Sequence, residues 1–379
     1  MDDFTVLSGL NPDDYPSRKV AVAMSGGVDS SLAALLLKEA GFDVIGLTMK
    51  LWDYERFGGR KHERGCCDLA TFHDARTVAA SMDIPHYTVN LRDEMERIVV
   101  SDFISEYLAG RTPNPCVLCN TAIKWHTLKT KALALGYDLI ATGHYARIAR
   151  HGDGTYSLLT GIDRTKDQSY FLWGLDSKSL DVTLFPLGFM TKEQTRAEAS
   201  KRSLKTAKRP ESQEICFIPD NNYGRFLRTY IKGELPLSLT EGDILDISGK
   251  VIGKHRGASN YTIGQRKGLG LALGSPVYVT GINTAANTIT VGDGEHLLSD
   301  SMTVTDLNWI RGFQPGGIFR CTTRIRYRHK PAPSEVRVAS DGVMVTFESP
   351  QKAITPGQSA VFYDGDLVLG GGVIARAAP

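Results

Sequence analysis

The 379-residue chain has no apolar run near the roughly 20 residues that a membrane-spanning helix needs. Met1-Asp2-Asp3 carries acid where a secretory leader carries base. A cytosolic protein with no membrane partner is expected. Cysteine is scarce: six residues, with one adjacent pair and one CxxC, do not make the disulfide framework of a secreted domain. They leave catalysis, sulfur handling or metal binding as their uses. An excess of charge of one sign is missing as well, since Lys and Arg exceed Asp and Glu by only +2. A nucleic-acid surface would therefore have to come from local clustering. There is no repeat at solenoid or propeller period and no low-complexity tract. With 42% hydrophobic and 23% charged residues, the composition is that of a soluble globular protein. The length exceeds what one core usually supports, so two or three domains are expected.

The apolar run Lys19 to Met24 is followed by Ser25-Gly26-Gly27-Val28-Asp29-Ser30-Ser31 and then by LAALLLKEAG. This reads as strand, glycine turn and helix. Further strands are expected at Val44 to Leu51, His86 to Asn90 and Asp138 to Ala141. Helices are expected from about Leu69 to Met82, near Arg92 to Leu108 and near Ile123 to Leu135. The alternation implies an α/β fold with a Rossmann-like parallel sheet over residues 1–220. From 221 to 286 the chain is Gly-rich with short strands and tight turns, the mark of a small mixed middle domain. From 287 to 379, segments such as ITVGD, EVRVASDGVMVTFES and AVFYDGDLVLGGGVI alternate with period two, which predicts a C-terminal β-barrel or sandwich.

At a strand-to-helix junction, glycines admit close backbone approach and the helix N-terminus offers N–H groups to phosphate oxygens. The motif here is neither GxxxxGK[ST] nor GxGxxG. It resembles the PP-loop of ATP pyrophosphatases, which transfer AMP to a substrate oxygen and release pyrophosphate. Two further segments choose the nucleophile: Thr112-Pro113-Asn114-Pro115-Cys116-Val117-Leu118-Cys119-Asn120 and Glu211-Ser212-Gln213-Glu214-Ile215-Cys216-Phe217. Cys119 and Cys216 are each expected in a polar loop, where reactive cysteines are favoured. With ATGHYA at 141–146 and KDQSYF at 166–171, these motifs closely resemble the tRNA-specific 2-thiouridylase family, with matches running from residue 20 into the last thirty.

The resemblance implies a C-terminal β-barrel and sulfur transfer to the wobble uridine of tRNA. A persulfide on Cys216, loaded by an upstream donor such as a cysteine desulfurase or relay protein, delivers its terminal sulfur to C2 of the adenylated base. Cys119 attacks the persulfide and is left in a disulfide with Cys216. The nucleotide pocket falls on Ala23, Met24, Ser25, Gly26, Gly27, Val28, Asp29 and Ser30 with Met49 and Gly143. Mg2+ accompanies ATP. Asn114, Pro115 and Cys116 fall beside the target base. His144, Lys166, Asp167, Gln168, Arg326, Tyr327 and Gln358 fall on the tRNA, which the middle and C-terminal domains also contact. This chain departs from the family at Cys116, where many members carry aspartate. Cys116 either replaces that acid as a thiolate or joins Cys119 and Cys216 around an iron–sulfur cluster. Persulfide chemistry is preferred, because three thiols fall short of a Cys₄ set. No protein metal site is otherwise expected. Cys66 and Cys67, between His62 and His73, read as a loop feeding a helix rather than a zinc site, and Cys321 reads as an inert strand residue.

Basic residues cluster at 201–209 and 320–330, with Tyr327 as a stacking face, which suits RNA phosphates and bases. Anticodon bases are already unpaired, so presenting one to an active site costs little. Three other readings remain open: a PP-loop ligase acting on a small metabolite, a non-catalytic RNA-binding or sulfur-carrier protein, and a thiolase acting at another tRNA position.

Overall fold

Lys19–Ala23, buried at every residue after Lys19, is the middle strand of a five-stranded parallel sheet. In the computed structural model, which describes residues 4–53, 69–210, 215–311 and 316–377, Asp43–Lys50 and His86–Asn90 extend this sheet to one side. Leu139–Ala141 and Thr183–Leu184 extend it to the other. The strand order therefore reverses between Lys19–Ala23 and Leu139–Ala141. Open parallel sheets hold ligands outside the carboxyl ends of their strands at such a reversal. The glycine turn at 24–27 and the segment 142–145 leave the sheet there.

The helix Val28–Glu39 packs Leu32, Ala33 and Leu37 into the core with no exposure. Residues 92–108 form one continuous helical run with a π-helical stretch at Met95–Val100, burying Met95, Val99, Phe103 and Tyr107 at four-residue spacing. Residues 115–134 form a second run, beginning with Pro115–Leu118 and passing into the π-helical Cys119–Leu128. This corrects the loop expected around Cys119. Proline at the first helical position has its φ already set and no N–H to satisfy, so Pro115 starts the helix eight residues before the apolar pattern of Ile123 announces it.

Six antiparallel strands close the C-terminal barrel: Leu298–Trp309, Gly342–Lys352, Ala332–Ala339, Ile318–Arg324, Ser359–Asp364 and Leu367–Ala377, the last pairing with both Ser359–Asp364 and Leu298–Trp309. The Leu367–Ala377 strand also pairs with Tyr156–Thr160, which continues through Ala146–His151 to Phe4–Leu7. One sheet thus runs from the barrel into the first domain. The middle sheet orders Val251–His255, Gly242–Leu245, Thr288–Gly292 and Tyr278–Asn283. The ITVGD segment, grouped by its alternation with the barrel, pairs instead with Gly242–Leu245 and Tyr278–Asn283, because its buried Ile289 and Val291 complete the small core around Ile244 and Val279. No helix among the described residues is long and apolar enough to cross a membrane.

Candidate functional site

The glycine turn is held open by its own backbone. Gly26 has φ +68°, and a Cβ there would stand 2.7 Å from the Thr71 carbonyl oxygen. Ser25 N–H donates to Ser30 Oγ at 3.1 Å, and Ser31 Oγ donates to the Gly27 carbonyl at 2.8 Å. Gly27 occupies the N-cap and brings no side chain to the first N–H groups of Val28–Glu39, leaving that end available to an anion. Across the reversal, a Cβ on Gly143 would lie 2.7 Å from Asp29 C and Ser30 N. Glycine there lets the two loops touch.

A cavity of about 2080 Å³ opens from this junction toward the barrel. Its wall includes Ser25, Gly27, Val28 and Asp29 of the turn, Met49, and all three of Cys116, Cys119 and Cys216. Residues far apart in sequence thus share one space. Ala23, Met24 and Ser30 are buried behind the turn, with Met24 1% exposed, and Gly143 is buttressed against it; none of them is in the wall. Cys216 is half-exposed beside the buried Phe217, whose ring packs 5.2 Å from Phe103 and 5.4 Å from Phe226. Cys119 opens the π-helical stretch, a frequent irregularity at functional sites. The next residue, Asn120, is buried and donates to the Phe171 carbonyl at 2.8 Å.

Pro115, His144, Lys166, Asp167, Gln168, Arg326, Tyr327 and Gln358 line the same cavity. Several are also engaged with their own chain. Asp167 is 3% exposed and accepts from Gly161 N, Ser169 N, Ser169 Oγ and, at 3.0 Å, Arg324. Gln168 Oε1 accepts from Tyr145 N at 3.0 Å. The Tyr327 ring lies tilted against Phe171 with centroids 4.5 Å apart, and Arg326 donates to the Lys352 carbonyl at 2.9 Å. Asn114 lies near the hydroxyl of buried Tyr170. His144 hydrogen-bonds Thr142 Oγ1 through Nδ1 at 2.6 Å between the rings of Trp125 and Phe185. Burial, then the charge of Lys124, hold its pKa well below the ordinary value, so it is neutral at pH 7.

The electrostatics were hidden by the net charge. Eleven Lys and Arg line the cavity against three Asp, and each Asp is paired within the wall: Asp29 with Lys192, Asp74 with Arg209, Asp167 with Arg324. The excess positive charge faces whatever enters.

Of these cations Lys192 has no place in the expectations from sequence, and Arg209, expected only within the RNA-facing cluster at 201–209, is engaged by the protein itself. Lys192 Nζ donates to both oxygens of Asp29, at 2.7 and 2.8 Å, and Tyr145 OH donates to the same carboxylate at 2.8 Å. The lysine opens a helix with a capping box, Thr191 and Gln194, a detectable signal that carries no hint of its partner. Arg209, seven residues before Cys216, donates to the Gly26 carbonyl at 2.8 Å and to Thr71 Oγ1 at 2.9 Å. It ties the end of the basic segment 201–209 to the glycine turn.

Among the described residues no group of three His, Cys, Asp or Glu is arranged to hold a metal. Burial pushes the Cys321 thiol pKa up, as suits an unreactive residue. Cys66, Cys67, His62 and Glu211 to Glu214 lie outside the described residues.

The profile of a family described as tRNA methyl transferase HUP domain matches residues 18–220, its PRC-barrel domain residues 228–293, and an aminomethyltransferase beta-barrel domain residues 299–374. The chain is 50% identical over 363 residues to the tRNA-specific 2-thiouridylase MnmA of Geotalea uraniireducens, covering 95% of this chain and 96% of the relative. It is 48% identical to the protein of that name from Geobacter metallireducens, covering 95% and 97%, and 48% identical to that of Carboxydothermus hydrogenoformans, covering 95% and 98%. The profile's description and the relatives' name differ in the group transferred. Two thiols that share one cavity with the glycine turn accord with the relatives' name.

Proposed function

Since the chain belongs to the tRNA-specific 2-thiouridylases, we propose that it is a cytosolic tRNA sulfurtransferase that replaces the C2 oxygen of the wobble uridine with sulfur at the expense of ATP. The observation that carries this reading is the single cavity shared by the glycine turn, Cys119 and Cys216, with cations in excess around it.

The carbonyl oxygen of uracil leaves poorly. Attack of that oxygen on the α-phosphorus of ATP forms a C2–O–AMP bond and releases pyrophosphate. MgATP is the substrate, with its phosphates over the N-terminus of Val28–Glu39 and the ammonium of Lys192 near the departing charge. Neutral His144 can hydrogen-bond the base or adenylate without adding charge. Cys216 carries a sulfane sulfur from a persulfide donor. The Cys119 thiolate attacks the inner sulfur of that persulfide, forming the Cys119–Cys216 disulfide and releasing hydrosulfide. Hydrosulfide adds at C2, AMP departs with its oxygen, and loss of a proton leaves the C2–S bond. The two electrons that reduce the sulfane sulfur come from the two thiols, and an external dithiol restores them. Asn114, Pro115 and Cys116 flank the base in this reading, and Lys166, Arg326 and Tyr327 meet the anticodon stem and loop.

The test is nucleoside mass spectrometry on unmodified tRNA incubated with protein, MgATP and a persulfide-generating donor, beside a Cys216→Ser variant. The expected product is 2-thiouridine at the wobble position, dependent on ATP and lost with Cys216→Ser. Pyrophosphate released without thiolated tRNA under a working donor would refute sulfur transfer and leave a PP-loop ligase.

A further inference from the structure

The short segment leading into the helix of Cys116 and Cys119 is gripped by both accessory domains at a single residue. Thr112 N–H donates to the Pro356 carbonyl at 2.8 Å. The Gln358 side-chain amide donates to the carbonyls of Thr112 and Pro113 at 2.9 and 3.2 Å. Both acceptors are carbonyl oxygens, so only the NH₂ end of Gln358 fits there. Between these contacts Gly357, at φ +88°, brings barrel backbone so close that a Cβ would stand 2.9 Å from Thr112 N and O. From the other side, Thr112 Oγ1 donates to Thr262 Oγ1 of the middle domain at 3.1 Å. Both backbone polar groups of Thr112 and its hydroxyl are thus engaged by chain more than 140 residues away. Two residues later comes Asn114, near the buried Tyr170, whose hydroxyl donates to the Ser359 carbonyl of the same barrel turn at 3.0 Å.

We propose that Gln358 is a positioning residue for the cysteines: the barrel turn 356–359 and Thr262 hold Thr112, and through it set the entry of the helix that presents Cys116 and Cys119. The proposal rests on the thiolation reading above for its rate measurement. Gln358 then acts on chemistry more than on tRNA affinity, although it lines the cavity. A half-buried amide donating to two carbonyls fixes a backbone path, and displacement of a reacting group by about 1 Å costs about a hundredfold in rate. Domains that receive the tRNA are also the ones that set the thiol. Seating the substrate and aligning the sulfur chemistry therefore share one set of contacts.

The experiment compares Gln358→Glu, whose carboxylate has no donor and repels the two carbonyls, with Gln358→Leu and Thr262→Val in the full-length protein. Three quantities are read: tRNA Kd, the single-turnover thiolation rate from persulfide-loaded enzyme at saturating tRNA, and the iodoacetamide alkylation rates of Cys116, Cys119 and Cys216 in tRNA-free protein, resolved by mass spectrometry. The expected result for both Gln358 variants is a Kd within about twofold of wild type and a single-turnover rate lower by about ten- to a hundredfold. Alkylation of Cys116 and Cys119 should change while that of Cys216 does not. Thr262→Val should shift the same quantities in the same direction by less. A Kd weakened tenfold or more with the single-turnover rate and alkylation pattern unchanged overturns the proposal and makes Gln358 a direct tRNA contact. If Gln358 variants do not fold, Thr262→Val decides by the same readings. If wild-type protein makes no 2-thiouridine, the thiolation reading fails, and alkylation still decides whether Gln358 sets the cysteines.

Discussion

Replacing Lys192 with methionine removes one charge from the cavity and keeps most of the side chain's length. The Lys192 side chain is 11% exposed and that of its partner Asp29 32% exposed, so the pair is partly screened by solvent. Breaking a fully buried pair costs about 3–5 kcal/mol. With Tyr145 still donating to Asp29 and water able to reach it, about 1–2 kcal/mol is the reasoned loss of stability. For a domain of some 200 residues that lowers Tm by about 3–6 °C. The effect on adenylation is larger. A unit charge about 4 Å from phosphate in an effective dielectric of 20 contributes about 4 kcal/mol, and competition from Asp29 leaves roughly half for the departing pyrophosphate. About 2 kcal/mol corresponds to a loss of roughly thirtyfold in the rate of the adenylating step. Asp29, left without its cation, repels the phosphates and acts in the same direction. The assay is tRNA-dependent pyrophosphate release at saturating MgATP, run beside thermal unfolding, with Lys192→Arg as the variant that keeps the charge. A methionine variant that loses stability yet releases pyrophosphate at the wild-type rate would refute the reasoning and reduce Lys192 to a structural ion pair.

Asp167→Asn should lower stability by about 3 kcal/mol, because the carboxylate is 3% exposed and its loss leaves the Arg324 guanidinium facing an amide in a buried place. Adding Arg324→Met should recover part of that loss, and chemical denaturation of the four proteins gives the coupling directly. Acid should destabilise the fold through its histidines. Burial is the first cause that lowers the pKa of His86, His144, His255 and His329, the last to about 4, so the unfolded chain binds their protons first as pH falls from about 6.5. Protons bound more by the unfolded state make stability rise with pH in that window, so the urea midpoint should fall steadily from pH 7 to pH 5. A flat midpoint over this range would contradict the burial of these rings.

What was legible in the sequence is what local periodicity and turn chemistry encode. Lys19–Ala23, two glycines and Val28–Glu39 follow one another closely enough for strand, turn and helix to be read in a line. Gly342–Lys352 alternates Val343, Val345 and Phe347 inward with Met344 and Thr346 outward, and strand character follows from that alone. The same alternation does not say which sheet a strand joins, which is why Thr288–Gly292 ends in the middle domain. Cys119 was readable as a thiol of interest but not as a helical one, since TPNPCVLCN is polar and the apolar face of its helix, Ile123, Trp125 and Leu128, begins only afterward.

The contacts that organise the site have no local signature at all. Asp29 meets Lys192 across 163 residues, Gly26 meets Arg209 across 183, and Asp167 meets Arg324 across 157. Each charge read alone is an exposed side chain or a phosphate contact, and only the fold gives it a partner. That changes what substitution of such residues measures. Asp167 and Gln168 lie in a segment whose resemblance implies tRNA contact, yet one anchors Arg324 and the other the backbone of Tyr145, beside His144 and Asp29. A thiolation defect on replacing either residue passes first through the protein's own geometry, and only a tRNA affinity measured beside the rate separates the two routes.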